Sequence, residues 1–370
     1  MSRYLLVGCG AAGNKCAYQA IKSGAISEND VVLVNSTDKD FPADYNGKKI
    51  VISPLNLGAG KEREVSKAYV VNSIKQGLFD TKELDNLNQY ANVILVSSVE
   101  GGTGSGAVPM LAQYFATVHV KNVTCCLFAG FQDDPRGLAN TIECFKELKD
   151  NIIVHIISNS AFLAEADGNY SKAEELANQE FINRYKILSG QLLIPGDQNI
   201  DDTDIIKLSN TYGYTTIEYK ELDKSLSDPS EYDKIIKRMS YDSKSIKPSS
   251  MSATKIGVIL NLSEQSRTNL NNIFSALKET YGVAYECFKH IQYDGKKEYI
   301  AYIIAGMKLP IDEVQKVYDK YTEQSKLVNK NSDGFFDSMK KMTLLEEDKQ
   351  FNMIKPVKKG ISSEEFLSNL

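Results

Sequence analysis

The 370-residue sequence predicts an α/β protein with a doubly wound, mostly parallel sheet, a long central helix, a second, smaller α/β domain and a helical C-terminal extension. In the first half, short runs rich in Val and Ile, bounded by turn residues, alternate with amphipathic segments, which is the pattern of a buried parallel sheet. After about residue 212 the chain becomes polar before a second series of strands and helices begins. Sheets of this kind bind ligands at the carboxyl ends of their strands, so the loops there are the first place to look for function.

The first half contains six predicted strands, each a short apolar run ending at turn residues. Amphipathic segments between some of them predict the helices that cover the sheet. The strands are predicted at residues 3–8, 31–35, 48–53, 92–98, 122–130 and 151–158, with helices at 61–79 and 106–118.

One long helix is predicted over residues 171–192, because Leu176, Ile182 and Leu188 recur at helical spacing. At 1.5 Å per residue it would be about 30 Å long. The second half predicts helices at 230–239, 264–282 and 311–324, a strand at 253–263, and strands at 284–291 and 297–306 that pair with each other. We therefore expect four units: 1–168, 169–210, 211–310, and a C-terminal helix with a flexible tail over 311–370.

Composition excludes several classes of protein. The chain is 42% hydrophobic and 25% charged with a formal net charge of -5, so bulk charge does not favour direct DNA binding. No apolar stretch approaches the roughly 20 residues of a membrane span, and the first residues are a strand and a turn, so we expect a cytoplasmic protein that does not bind membranes. Three scattered histidines and six cysteines without C-x-x-C spacing predict buried free thiols, with neither a His-based metal site nor a catalytic triad.

The first glycine loop follows the first strand. Gly8, Gly10 and Gly13 have the G-x-G-x-x-G spacing of dinucleotide-binding proteins, which taken alone suggests an NAD(P)-dependent Rossmann enzyme. That fingerprint also requires an acid at the end of the second strand, where this chain has Asn35. What remains is a general anion site, made by open backbone N–H groups at the start of a helix.

Two further glycine loops precede predicted helices. EGGTGSGAVP, residues 100–109, follows the fourth strand, and its glycines allow close approach of a ligand while Thr103 and Ser105 add hydroxyl groups. It is not a Walker loop, because no G-K-[ST] follows. LNLGAGKERE, residues 55–64, is the third loop. Three such loops on one sheet predict a polyphosphate bound from several sides.

Together these motifs resemble the tubulin/FtsZ superfamily of GTPases. GGTGSG is similar to the signature loop GGGTG[ST]G, with Glu100 in place of its first glycine, while VGCGAAGN and LGAG resemble two other phosphate loops of the family. The resemblance implies GTP and GDP as ligands, with Mg²⁺ held mainly by nucleotide and water. The nucleotide-binding residues that it implies are Gly10, Ala11, Ala12, Gly13, Asn14, Asn35, Gly58, Gly60, Gly101, Gly102, Thr103, Gly104, Ser105, Asp133, Asp134, Arg136, Asn159 and Asn178.

In this resemblance Asn159 and Asn178 recognise guanine, since a side-chain amide can both donate to and accept from the edge of the base. Taken alone, Asn178 is equally a solvated helix residue. The chain also departs from the family. Ala11 and Ala12 replace glycines, Glu174 stands where an aromatic side chain often stacks on the base, and FQDDPRG is more compact than E-G-x-x-R. Which acid contacts the ribose therefore stays open, as does the stacking residue, for which the candidates are Phe162 and Tyr170.

The sequence NIDDTD, residues 199–204, resembles the family's N-x-D-x-x-D loop, with Asn199, Asp201 and Asp204 at its fixed positions. The resemblance implies that these residues reach the nucleotide of the next subunit in a head-to-tail filament, where the two carboxylates orient the attacking water. Taken alone, without the resemblance, the segment is better interpreted as an acidic turn that caps the next helix.

The departures make the chain look most like the plasmid and phage partitioning tubulins (the TubZ-like group), whose filaments segregate or position DNA. In that group a basic C-terminal tail binds a DNA-bound adaptor protein, and Lys355, Lys358 and Lys359 could do so here. The alternatives are a cell-division protein of the FtsZ type, a Rossmann enzyme that uses NAD(P), and a scaffold that polymerises without hydrolysis.

Overall fold

The computed structural model describes residues 4–84, 87–148, 151–222, 229–248, 252–263, 270–282, 284–293, 298–328 and 360–370. Its strands are β1 (Tyr4–Cys9), β2 (Val31–Asn35), β3 (Lys48–Val51), β4 (Asn92–Ser98), β5 (Asn122–Ala129), β6 (Ile153–Ser158), β7 (Gly213–Glu221), β8 (Lys255–Asn261), β9 (Glu286–Gln292) and β10 (Tyr299–Met307). The helices are α1 (Gly10–Lys22), α2 (Arg63–Lys75), α3 (Gly102–Thr117), α4 (Pro135–Glu147), α5 (Tyr170–Leu188), α6 (Asp202–Ser209), α7 (Pro229–Tyr241), α8 (Leu270–Tyr281), α9 (Ile311–Val328) and α10 (Ser363–Ser368).

The ten strands form one sheet in the order β3-β2-β1-β4-β5-β6-β7-β10-β8-β9. All pairs from β3 to β7 are parallel, and β10 is antiparallel to both of its neighbours. Buried side chains of α1 and α5 cover one face of the first half, and those of α2, α3 and α4 cover the other. The predicted doubly wound α/β architecture is therefore confirmed, and the strands of the second half extend the same sheet.

The predicted pairing of the strands near 284–291 and 297–306 is wrong. β8 lies between them: it pairs with β9 in parallel and with β10 in antiparallel orientation. β10 is buried almost throughout, so its inner position next to β7 and β8 removes more apolar surface from water than an edge position would.

The expectation of a flexible tail up to residue 370 fails for residues 360–370. Gly360 N donates to Thr117 O over 2.6 Å, and the Phe366 ring packs edge-on against Tyr114 at 5.4 Å. The hydroxyls of Ser363 and Tyr114 lie 3.0 Å apart. The helix α10 is thus docked on α2 and α3, because Phe366 is apolar and buries its ring there.

Two simpler expectations concern composition. All six cysteines are free; five are buried as predicted, but Cys287 is exposed. Within the part of the chain that the structure describes, no helix combines the length and the hydropathy needed to cross a membrane.

Candidate functional site

The carboxyl ends of four strands lie level at one edge of the sheet. The register pairs Cys9 of β1 with Ser97 of β4, and Ala129 of β5 with Ser158 of β6. A helix or loop leaves the sheet after each of them: α1 begins at Gly10, α3 begins at Gly102, and a short 3₁₀ helix covers Asn159–Phe162. The sheet topology therefore brings together motifs that are about 150 residues apart in the sequence.

The first two glycine motifs form the first turns of α1 and α3, so their backbone N–H groups point out of the helix starts. Gly10 has φ +72°, and a Cβ there would lie 3.3 Å from Gly104 N. Glycine is needed at this position because the two turns pack directly against each other. By contrast, a Cβ on Gly58, Gly60 or Gly101 would meet open space, so at these positions the backbone is free to face a ligand.

The hydroxyls of the signature turn already have partners within the protein. Thr103 Oγ1 lies 2.9 Å from Ser36 Oγ, and Thr103 O accepts from Ser66 Oγ at 2.8 Å. The Ser105 hydroxyl is buried and donates to Gly101 O. Ser105 therefore stiffens its own turn, whereas sequence reasoning had placed its hydroxyl on the ligand.

Two asparagines of the predicted site are buried beside the second strand. Asn14 Nδ2 donates to Val34 O at 3.3 Å, and its Oδ1 has no partner among the described residues. Asn35 Nδ2 donates to Asp40 Oδ2 at 2.9 Å, while its Oδ1 accepts from Ser36 N. Asn14 therefore ties α1 to β2, whereas Asn35 ties the end of β2 to the loop that follows it. The end of β2 carries an amide where a dinucleotide enzyme has its ribose acid.

A cleft opens at this edge of the sheet, between α1, α5 and the loop after β5. Three predicted residues line it, namely Ala12, Asn159 and Asn178. The Asn159 side chain is buried, and its Oδ1 has no partner among the described residues. An unpaired buried carbonyl oxygen costs free energy, so a ligand that donates to it would be stabilised there. Glu100 and Glu174, which the sequence marks as departures from the family pattern, also line the cleft. The remaining lining residues, which the sequence did not mark, are Lys15, Ser98, Phe128, Gly130 and Phe131.

An aromatic pair stands at the mouth of the cleft. Phe131 and Tyr170 stack with ring centroids 4.2 Å apart and planes 9° from parallel. Phe162, the other stacking candidate, is buried in the core beneath the ammonium group of Lys244. Glu174, at the position where the family often has its aromatic, lies 3.7 Å from Lys15. Phe131 was missed, although its position just after a buried strand was a usable signal.

The loop after β5 holds the three charged residues that were predicted to meet ribose and phosphate. Asp133 accepts from the Tyr170 hydroxyl at 3.0 Å. Asp134 caps α4 by accepting from Arg136 N at 3.0 Å, and it forms an ion pair with Lys61. The Arg136 guanidinium pairs with Glu62 at 2.6 Å. Asp134 and Arg136 therefore connect this loop to the third glycine loop, which leaves Asp133 as the carboxylate nearest the aromatic pair.

Two residues that sequence reasoning did not select hold these loops together. Asn140 of α4 is buried and donates to Lys61 O at 3.2 Å and to Glu100 O at 2.9 Å. Glu100 lies in the cleft, where burial raises the pKa of its carboxyl to about 7. Backbone hydrogen bonds from Gln132 and Gly130 lower that pKa in part. No local sequence signal identifies Asn140, since its partners lie about 40 and 80 residues earlier.

The acidic loop lies elsewhere. Asn199 closes a turn by donating to Gly196 O at 2.9 Å and accepting from Gly196 N at 2.8 Å. Asp201 caps α6 by accepting from Asp204 N at 2.8 Å, as the simpler interpretation predicted. Asp204 lies 3.8 Å from Lys207, and the Asp201 side chain is exposed.

The helix α5 carries the chain from the cleft to the opposite ends of the strands: Asn178 lines the cleft, and Leu188 O accepts from the hydroxyl of Tyr4, at the start of β1, at 3.1 Å. The acidic loop follows, and there Ile200 N donates to His290 Nδ1 of β9.

α6 leads into β7, whose first residue, Gly213, pairs with Ile153 at the start of β6, whereas Asn159 follows the end of β6. Six residues of strand separate these ends by roughly 20 Å. The central helix α5 has 19 residues and is therefore about 28 Å long, close to the length that the sequence predicts.

The geometry suits a nucleotide better than a protein-bound metal. Two helix starts and open glycine positions favour an anion, and the unpaired Asn159 Oδ1 suits a hydrogen-bond donor such as a base. Among the residues that the structure describes, no group of three or more His, Cys, Asp or Glu side chains is arranged to hold a metal ion.

Comparison with known proteins agrees with this geometry. The family model "Tubulin/FtsZ family, GTPase domain" matches residues 3–167. The tubulin-like protein CetZ of Pyrococcus abyssi is 26% identical over 242 residues, which cover 61% of this chain and 64% of that protein. The chain thus matches less than two thirds of the length of that relative.

Solved structures share the fold over most of the chain. The GTPγS-bound protofilament of CetZ2 from Haloferax volcanii has a TM-score of 0.69 at 16% identity and covers 87% of this chain and 100% of that one. TubZ of Clostridium botulinum phage c-st has a TM-score of 0.66 at 16% identity, with 87% and 99% covered. The glycine turns and most of the residues that line the cleft thus lie within residues 3–167, the segment that matches the GTPase domain of the Tubulin/FtsZ family.

Proposed function

We propose that this chain binds GTP and GDP in the cleft and hydrolyses GTP. The observation that carries the proposal is the cleft itself, which brings Asn159 and Asn178 from separate elements to the side of the α1 and α3 starts. The base lies between Phe131 and the two amides, and the phosphates lie along the glycine turns, where backbone N–H groups and helix dipoles favour negative charge. Mg²⁺ bound to the phosphates would supply positive charge to stabilise the transferred phosphoryl group.

We further propose that the subunits assemble head to tail and that hydrolysis needs this assembly. Asp201 and Asp204 lie at the edge of the sheet opposite the cleft, so they are placed to meet the cleft of another subunit and not their own. In that position their carboxylates orient the attacking water, and Asn199 holds the turn that presents them. Two solved structures with this fold, CetZ2 and a TubZ from Bacillus thuringiensis, are described as protofilaments with GTPγS, which supports the proposal by analogy.

Sedimentation and light scattering of the full chain with GTP and Mg²⁺ test this proposal, with phosphate release measured in parallel. We expect polymer with GTP, less with GDP, and a rate of phosphate release per subunit that rises steeply with protein concentration. A rate per subunit that is independent of concentration would show that each subunit hydrolyses alone. Thermal protection by NAD(P) without protection by GTP would instead favour the Rossmann enzyme.

Segregation or positioning of DNA by these filaments is the cellular role that we propose, through a DNA-bound adaptor. The similarity in fold to TubZ supports this role. The sequence relatives also include CetZ and cell-division FtsZ proteins, so the fold is shared by proteins with different names. Lys355, Lys358 and Lys359, which we propose as the adaptor contact, lie outside the described residues. Deleting residues 355–359 should leave assembly intact and abolish capture of filaments by adaptor-coated DNA.

A further inference from the structure

We propose that Glu100 is a positioning residue that fixes the loop 130–134 over the nucleotide cleft, an inference that rests on the proposed function. In the tubulin/FtsZ signature loop this position is a glycine, which has no side chain to make such a contact. The substitution therefore adds a connection between the phosphate-binding turn and the loop that carries Phe131 and Asp133.

The Glu100 side chain fills the space beneath two glycines of the next loop and helix. A Cβ on Gly130 would overlap the Glu100 carboxylate, and a Cβ on Gly137 would lie 3.0 Å from Glu100 Cβ. Backbone hydrogen bonds from Gly130 and Gln132 reach the carboxyl group. Gln132 has φ +60°, a left-handed conformation that is strained for a residue with a side chain. The carboxyl group of Glu100 thus supports a strained loop, and Asn140 holds its main chain from the other side.

The charges around Glu100 make its protonation sensitive to a bound nucleotide. Among the described residues, three cations near the cleft are each paired with an acid: Lys61 with Asp134, Arg136 with Glu62, and Lys15 with Glu174. Asp133 adds a further negative charge, and burial already disfavours ionisation, which raises the pKa of Glu100 to about 7. Polyphosphate oxygens would add more negative charge and raise this pKa again.

Binding should therefore take up protons. A group whose pKa rises on binding makes the affinity fall as the pH rises through the lower, unbound value towards the higher, bound value. If nucleotide binding raises the pKa of Glu100 by about one unit, the Kd for the nucleotide increases by up to about tenfold between pH 6.5 and pH 8.5. Glu100→Gln keeps the size and one carbonyl acceptor but cannot titrate, so it should lose this part of the pH dependence.

The experiment measures GDP binding with Mg²⁺ by isothermal titration calorimetry near pH 6.5 and pH 8.5, because GDP avoids hydrolysis. Wild type, Glu100→Gln, Glu100→Gly and the control Glu143→Gln are compared at the same pH, which cancels the titration of the nucleotide itself. Glu143 is a half-exposed residue of α4 that forms an ion pair with Lys146 at 3.0 Å. The rate of tryptic cleavage after Arg136 in nucleotide-free protein measures separately how firmly the loop 130–134 is held.

We expect Glu100→Gly to be cleaved after Arg136 several-fold faster than wild type and to bind GDP about tenfold more weakly, which corresponds to the loss of one charge-assisted contact. Glu100→Gln should bind GDP with a flatter pH profile, and Glu143→Gln should behave as wild type. If wild type binds GDP but both Glu100 variants match it within twofold at each pH, with unchanged cleavage, the inference about Glu100 is wrong. If wild type binds neither GDP nor GTP, the proposed function fails, whereas faster cleavage of Glu100→Gly would still support the role of Glu100 in holding the loop.

Discussion

The cleft and the acidic loop both consist of polar residues at an edge of the same sheet, yet their polar groups are satisfied in different ways. In the cleft, Asn159 Oδ1 is buried without a partner among the described residues, and burial raises the pKa of Glu100 to about 7. In the acidic loop, Asn199 and Asp201 use their side chains within the loop or to cap α6, and the Asp201 carboxylate remains exposed.

The difference separates two kinds of site. A cleft with an unpaired buried carbonyl is preorganised for a ligand, because that group is desolvated when the protein folds and not when the ligand binds. A loop whose groups bond to one another is stable alone, so any catalytic contribution has to come from its exposed oxygens meeting another surface. Mutations in the cleft should therefore change binding, and mutations in the loop should change hydrolysis.

The largest effect is expected for Asp201→Asn. Asparagine caps a helix about as well as aspartate, so the cap of α6 is kept and only the charge is lost. We expect filaments to form with GTP while phosphate release falls about a hundredfold, as when one group that stabilises or orients the transition state is removed. Phosphate release and sedimentation on the same sample measure both quantities.

The control for this variant is Asp197→Asn, an exposed acid in the same loop but outside the N-x-D-x-x-D positions. Asp201→Ala should add a loss of stability of about 1 kcal/mol from the missing cap. If Asp201→Asn released phosphate at the wild-type rate, Asp201 would only cap the helix. The distinction between a cleft that binds nucleotide and a loop that acts in hydrolysis would then fail.

The next effect is expected for Asn159→Ala in the cleft. Removing an amide that binds the ligand should raise the Kd for GTP by about tenfold to a hundredfold, the range for a lost buried hydrogen bond. The thermal midpoint of the nucleotide-free protein should change little, because Asn159 Oδ1 has no hydrogen-bond partner within the described part of the chain. Asn183→Ala, which removes an amide of α5 that bonds to Gln179, serves as the control. A large loss of stability with unchanged GTP affinity would identify Asn159 as a structural residue.

The smallest effect is expected for Arg136→Ala. Although the sequence resemblance places Arg136 on the nucleotide, its guanidinium pairs with Glu62 at the surface, and such pairs contribute at most about 1 kcal/mol. The Kd for GTP should therefore rise by about fivefold or less, close to the result for Lys146→Ala, which breaks another surface pair of α4. A rise of more than about tenfold, or 1.4 kcal/mol, would show that Arg136 leaves Glu62 and binds the phosphates.

Much of the fold could be predicted because its signals are local. β2, β3, β4, β5 and β6 lie within the predicted apolar runs, β1 ends one residue beyond its run, and α1 and α3 start at the glycines that the motifs marked. The strand pairing in the second half could not be predicted, since β9 and β10 follow each other in sequence while β8 lies between them. Periodicity identifies a strand but carries no information about its neighbour.

The sequence by itself determined the strands, the helix starts and the glycine turns, because each depends on residues a few positions apart. It also marked Asn159, Asn178 and the acidic loop, through a resemblance of ordered motifs. Only the tertiary structure decided that Phe131 and Glu100 share a cleft with the two asparagines, and that Asn140 holds two glycine loops at once. Those contacts join distant segments through the order of strands in the sheet, and that order results from the packing of the whole chain.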